Sequence, residues 1–184
     1  MTTMSENARL AGVESYSGFA KLLHWIVALC VLIMIPAGLA MNRVDPGTLQ
    51  NGLYTLHRSL GMLVLVLMIV RLAYRLLHGV PAPEPTLTAW QRVSSHLVHL
   101  SLYVLIIVQG IIGWVATSAF GAAISFFGLF TVPALVAKDQ ELSKPLFFAH
   151  DVLGFIIAGL VLLHIAAALY HFLIRGDRVL QRMA

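Results

Sequence analysis

AHDVLGFIIAGLVLLHIAAALYHF, residues 149–172, decides the fold of this chain. After Asp151 the stretch carries no formal charge up to Phe172, and it is long enough to fill the roughly 20 helical residues that a bilayer core requires. It also carries His150 and His164, 14 residues apart. At 100° per residue that spacing returns to within about 40° of the starting direction, and it climbs about 21 Å. The two imidazoles therefore share one face of one helix, one near each membrane surface.

The rest of the chain agrees. Of 184 residues, 59% are hydrophobic and only 11% charged, and the mean hydropathy is +0.88. An ordinary soluble domain is about 45–50% apolar and about 25% charged, and a fold of this length buries only about 70% of the surface its unfolded chain exposes. So much apolar surface needs lipid. Cytosolic enzymes, nucleic-acid-binding proteins and disordered chains are excluded, and the net charge of +4 becomes a topology signal. One cysteine, Cys30, sits in an apolar run. It provides no disulfide framework, no thiolate cluster for zinc or iron–sulfur, and no CxxCH haem attachment.

Four segments read as spans: 19–41, 54–77, 93–116 and 146–174. PAPEPTLT (81–88) is a loop because of its prolines, and Asp45, Pro46 and Gly47 mark a turn. Residues 119–137 are apolar enough for a fifth span, but Gly121, Gly128 and Pro133 oppose a continuous helix. Charge points the same way. With four spans and the N-terminus inside, the inner side holds Arg9, Lys21, Arg71, Arg75, Arg92, Arg175, Arg178 and Arg182, and the outer side holds Arg43, Arg58, Lys138 and Lys144. This distribution obeys the positive-inside rule, whereas a fifth span would send the basic C-terminal tail outside. Residues 119–137 are thus expected to form an outer loop with a re-entrant or interfacial piece. Gly38 and Ala40 offer a small-x-small cleavage pattern, but the apolar run before them exceeds that of a signal peptide.

His24, His57, His150 and His164 fall inside spans. A single intramembrane histidine can be a neutral imidazole bonded to a neighbouring helix; four at consistent depths ask for more. The topology puts His24 level with His164 near the inner side and His57 level with His150 near the outer side. Two facing imidazoles with no thiolate or carboxylate suit the axial positions of haem iron, whereas zinc takes four protein ligands or three plus water. Gly61, Gly154 and Ala168 each lie four residues after one of these histidines, on its face, as room for a flat cofactor. Arg71 and Arg75 lie 14 and 18 residues after His57, near the inner surface, where guanidinium groups can pair with haem propionates or meet a quinone. His171, Trp25 and His99 are further inner-side candidates for a quinone head group, although polar and aromatic residues also belong at span ends for their own reasons.

Taken together, KLLHWIVAL (21–29), LHRSLGMLVLVLMIVRLAYRL (56–76), HLVHLSLY (96–103), SFFGLF (125–130), the opening stretch and GDRVLQRM (176–183) resemble the prokaryotic cytochrome b561 family, whose characterised members include superoxide oxidase. The likeness covers the chain from about Tyr16. It implies an all-α membrane protein: a four-helix transmembrane bundle holding two b-type haems, ligated by the pairs His24/His164 and His57/His150. Many members have His-Glu where this chain has His150-Asp151. The implied organisation is a cytoplasmic N-terminal tail (1–18), a four-span cytochrome b domain (19–174) and a basic cytoplasmic C-terminal tail (175–184), in a bacterial inner membrane. The implied reaction takes electrons from superoxide outside to ubiquinone in the membrane, releasing oxygen, with Arg58, Lys138 and Lys144 drawing the anion in. The alternatives are a membrane-anchor cytochrome b subunit fed by a soluble dehydrogenase or hydrogenase, and a non-redox histidine protein such as a metal transporter.

Overall fold

The computed structural model describes residues 15–184; Arg9, counted above on the inner side, lies outside them. Four long helices follow in order: α1 (Gly18–Met41), α2 (Thr48–His78), α3 (Ala89–Phe120) and α4 (Gln140–Tyr170). The last continues through a wider π turn at His171–Arg175. All four are long and apolar enough to cross a membrane, and the molecule is an all-α, four-helix transmembrane bundle apart from one short hairpin.

Each helix outruns its apolar stretch, because hydropathy sets the span while capping groups set the ends. Ser17 opens α1 by accepting the Ala20 amide. Thr88 and Gln91 form a reciprocal capping box on α3, and Asp139 accepts the amides of Glu141 and Leu142 at the start of α4. At the other ends, Gly79 (φ 71°) and Gly121 (φ 83°) take up positive φ that side-chain-bearing residues avoid.

Packing runs α1 on α2 and α3 on α4, with α2 against α3 joining the two halves. The shared core is Val27, Cys30 and Val31 of α1, Leu60, Val64 and Met68 of α2, Ile106 of α3 and Ile157 of α4. The opposite faces, with Leu29, Val66, Val104, Phe155 and Leu162, are exposed by the protein itself and meet lipid.

Residues 119–137 are only in part what the sequence leads one to expect. The helix of α3 runs on to Phe120, and then β1 (Ile124–Phe126) and β2 (Phe130–Val132) pair antiparallel in place of any membrane-depth helix. Positive φ at Phe127 (49°) and Gly128 (76°) reverses the chain. The hairpin folds back on α2, where the Ser59 hydroxyl donates to the Ser125 carbonyl at 3.0 Å and accepts the Phe127 amide at 2.9 Å. Trp114 Nε1 ties Pro133 (2.9 Å) and Ser118 Oγ accepts the Leu135 amide (3.1 Å), so the segment rests on α3 as well.

At the opposite end of the bundle the chain after α4 doubles back as a strap. Arg182 donates to the Ala82 carbonyl, Trp25 Nε1 to the Met183 carbonyl (2.8 Å) and Lys21 Nζ to Ala184 (2.6 Å). Asp177 anchors it, bonding His171 Nδ1 at 2.5 Å and standing 3.4 Å from the Arg175 guanidinium.

Candidate functional site

The helical face shared by His150 and His164 turns inward, and each ring meets a histidine from another helix. His24 of α1 lies with its ring centroid 6.1 Å from that of His164, and His57 of α2 stands 6.1 Å from His150. Each separation is too wide for a direct hydrogen bond and matches two metal–imidazole bonds of about 2 Å each plus the ring radii. The ring planes are nearly perpendicular in both pairs, at 84° and 78°. Among the described residues no group of three or more His, Cys, Asp or Glu could hold a metal ion. Each pair of imidazoles, with no further protein donor, would suit a haem iron, whose porphyrin would supply the remaining ligands.

Hydrogen bonding around the rings bears on the same point. His57 Nδ1 lies 3.1 Å from the Met34 carbonyl. A carbonyl only accepts, so Nδ1 carries the proton and Nε2 keeps its lone pair for a metal. Nδ1 of His24 and Nδ1 of His150 are buried with no hydrogen-bond partner in the protein, and at His150 that atom lies on the ring edge turned to α3 at Gly113. Gln109, in the middle of α3, donates from Nε2 to the His150 backbone carbonyl at 2.8 Å. Nothing in the sequence marks Gln109, because its partner lies on another helix, 41 residues away.

Two of the small residues expected to leave room beside the ligands, Gly61 and Gly154, face other helices. A Cβ on Gly61 would meet Met34 Sδ at 3.7 Å, and one on Gly154 would meet Gln109 Nε2 at 3.3 Å. Both glycines thus receive side chains of neighbouring helices, because helix rotation turns them toward α1 and α3. The glycines against the histidine rings are Gly38 and Gly113: a Cβ on either would come within 2.8 Å of Cε1 of His57 or His150. Gly38, which resembles part of a cleavage pattern in the sequence, is covered by the His57 ring.

Beyond the His24/His164 pair, toward the termini, lies a cavity of about 280 Å³ lined by Arg71, Tyr74, Arg75, His99, Tyr103 and Met183, among others. Both guanidinium groups lie over the Tyr103 ring, 5.4 Å from its centroid, and among the described residues neither has a carboxylate partner. His99 approaches the His164 ring to 5.2 Å. Tyr74 stacks on His78 at 4.0 Å and its hydroxyl meets Ser17 Oγ at 2.9 Å. Trp25 and His171 do not line this cavity; their ring nitrogens are engaged by the strap, at Met183 and Asp177.

At the hairpin end the basic residues differ in their freedom. Arg58, next to His57, lies 5.1 Å over the Tyr54 ring. Lys144 is paired with Glu141 at 2.7 Å on an exposed surface, so its charge is largely offset. Lys138 rests its stem on Gly121 and lines a second cavity of about 370 Å³ beneath the hairpin.

Comparison with known proteins agrees with this geometry. Residues 15–184 match the family described as prokaryotic cytochrome b561. The chain is 31% identical over 174 residues to cytochrome b561 homolog 2 of Escherichia coli K12, covering 92% of this chain and 91% of that one. It is 30% identical over 165 residues to cytochrome b561 homolog 1 of the same organism, with 88% and 92% covered. It is 29% identical over 174 residues to a probable superoxide oxidase CybB of Yersinia pestis, with 92% and 96% covered. Four apolar helices, facing histidine pairs and a match along the whole described chain lead to one conclusion: this protein belongs to the prokaryotic cytochrome b561 family, membrane electron-transfer cytochromes that bind b-type haem.

Proposed function

We propose that the protein is a di-haem oxidoreductase that takes electrons from superoxide at the hairpin end and delivers them to ubiquinone at the end carrying the termini. The observation that carries this reading is the presence of two histidine pairs of equal separation, 6.1 Å each, stacked along the bundle. His57 and His150 would hold one haem, and His24 and His164 the other. Bound there, the haems supply one-electron redox chemistry, which the side chains of this chain do not possess. Two superoxide anions each lose one electron and leave as dioxygen, and ubiquinone gains two electrons and two protons to become ubiquinol.

The protein's own groups select and position the reactants. Arg58 presents a positive charge beside His57, held in place by Tyr54, and draws an anion toward the hairpin end. Lys138 adds a second charge at the cavity under the hairpin. At the far end, Arg71 and Arg75, fixed over Tyr103, match the carboxylates of a haem or the carbonyl oxygens of a quinone. His99 lines that cavity and is a ring N–H donor to a quinone oxygen. Trp25 and His171 act there through the strap they hold. The positive-inside rule puts the end carrying the termini, with its strap, on the cytoplasmic side of a bacterial inner membrane. Residues 1–18 and 175–184 are then cytoplasmic tails around the four-span domain 19–174.

The test is anaerobic stopped-flow mixing of the oxidised, purified protein with superoxide, with and without ubiquinone. Rapid appearance of the reduced haem bands, then reoxidation on adding quinone, is the expected result. Bands that stay oxidised under a superoxide flux, yet are reduced by a co-purifying soluble subunit, overturn the superoxide reading and favour an anchor cytochrome.

A further inference from the structure

The two histidines nearest the hairpin are seated in the same way, and the other two are not. His57 of α2 lies against α1 at Gly38, whose Cβ would stand 2.8 Å from Cε1 and 3.0 Å from Nδ1. His150 of α4 lies against α3 at Gly113, with 2.8 Å and 3.1 Å for the same atoms. In an α-helix the side chain at position i+4 leans back over the carbonyl of residue i. A glycine at i+4 therefore uncovers that carbonyl for a ring from outside. At His57 this is what the geometry uses: Met34, four residues before Gly38, accepts the Nδ1 proton at 3.1 Å. Gln109 stands four residues before Gly113, in the same register, but there His150 Nδ1 closes no hydrogen bond. Among the described residues no glycine lies against His24 or His164.

We infer that Gly38 and Gly113 are positioning residues for the His57/His150 centre alone: they set the depth at which each ring approaches its partner, and Gly38 also leaves the Met34 carbonyl open to orient His57. The inference rests on the haem reading above. An alanine at either position would push its Cβ into a ring that has little freedom to retreat. His57 is held by Met34, and His150 packs by Gln109, whose side chain clasps its backbone. Ring displacement would spoil one centre and leave the 6.1 Å approach of His24 and His164 unchanged.

The experiment uses the full-length protein, purified in detergent, with Gly38→Ala and Gly113→Ala compared with two other glycines. Gly159→Ala meets nothing within 4 Å, so it should behave as wild type; Gly110→Ala crowds Leu65 Cβ at 3.1 Å and serves as a plain helix-packing defect. Readouts are haem per chain, the low-temperature optical bands and paramagnetic resonance of each ferric centre. Each seat variant should lose or shift the spectral component that His57→Ala and His150→Ala remove, with up to half the haem lost and the second component unmoved. Both components unchanged in the seat variants, or both lost together as a general loosening would give, overturns the inference. Failure of both seat variants to accumulate while Gly159→Ala accumulates also overturns it, since the effect must be selective. A wild-type chain that takes up no haem instead refutes the reading on which the inference rests.

Discussion

Replacing Ser59 by alanine removes the single hydroxyl that fastens the hairpin to α2. Ser59 is wholly buried, donates to the Ser125 carbonyl and accepts the Phe127 amide. The variant leaves two partly buried backbone groups without this partner, each loss costing up to about 1–3 kcal/mol. Partial access of water to a hairpin at the end of the bundle brings the total to about 2–4 kcal/mol. The segment has little reserve against such a loss, because Ile124 is the one buried side chain of its two strands and Phe127 already sits at φ 49°, a conformation disfavoured by roughly 1–2 kcal/mol. Since about 1.4 kcal/mol is tenfold in an equilibrium constant, opening should become about 30- to 700-fold more frequent. Hydrogen exchange read by mass spectrometry on peptides covering 122–138, with an α1 peptide as reference, measures this directly. A change of less than threefold in the hairpin peptides, with α1 equally protected, would refute the claim that these two bonds hold the segment.

His24→Ala and His164→Ala should perturb one and the same haem component and His57→Ala and His150→Ala the other, read as difference spectra; a shared loss from His24→Ala and His57→Ala contradicts the pairing. Acid–acetone should extract all the haem, because the one cysteine, Cys30, is buried in the core and no attachment motif is present; residual covalent haem in the pellet contradicts this. Reduction by superoxide should slow as ionic strength rises and slow further in Arg58→Glu, while the double variant Glu141→Gln/Lys144→Gln changes it little because it removes a pair whose two charges offset one another; equal effects of the two variants would refute the assignment of the local field to Arg58. Asp177→Ala removes a partner whose side chain is only 7% exposed and which bonds both His171 and Arg175; the strap should then be cut at 176–184 by added protease several-fold faster, and unchanged digestion would show that the carboxylate is not its anchor.

Much of the architecture is one-dimensional. Twenty or so apolar residues make a span whatever they pack against, and the 3.6-residue repeat alone puts His150 and His164 on one face. Gly121, Gly128 and Pro133 weigh against a continuous fifth helix, since glycine takes positive φ at little cost, as Gly121 and Gly128 do here, and proline lacks a helix donor. The basic residues at 175, 178 and 182 likewise speak through charge alone. Local rules stop at contacts between helices. Which glycine lies under which ring depends on the rotation of α1 against α2 and of α3 against α4, so Gly61 and Gly154, on the right faces of their own helices, receive Met34 and Gln109, while Gly38 and Gly113 carry the histidines. The same holds for the π turn and the Asp177 anchor, which free His171 from any reading based on an unbroken helical wheel. The sequence puts Arg71 and Arg75 one turn apart on roughly the face of His57, and goes no further. Only the approach of Tyr103 from α3 gathers both guanidinium groups over one ring, because that contact joins residues whose separation along the chain carries no information about their distance in space.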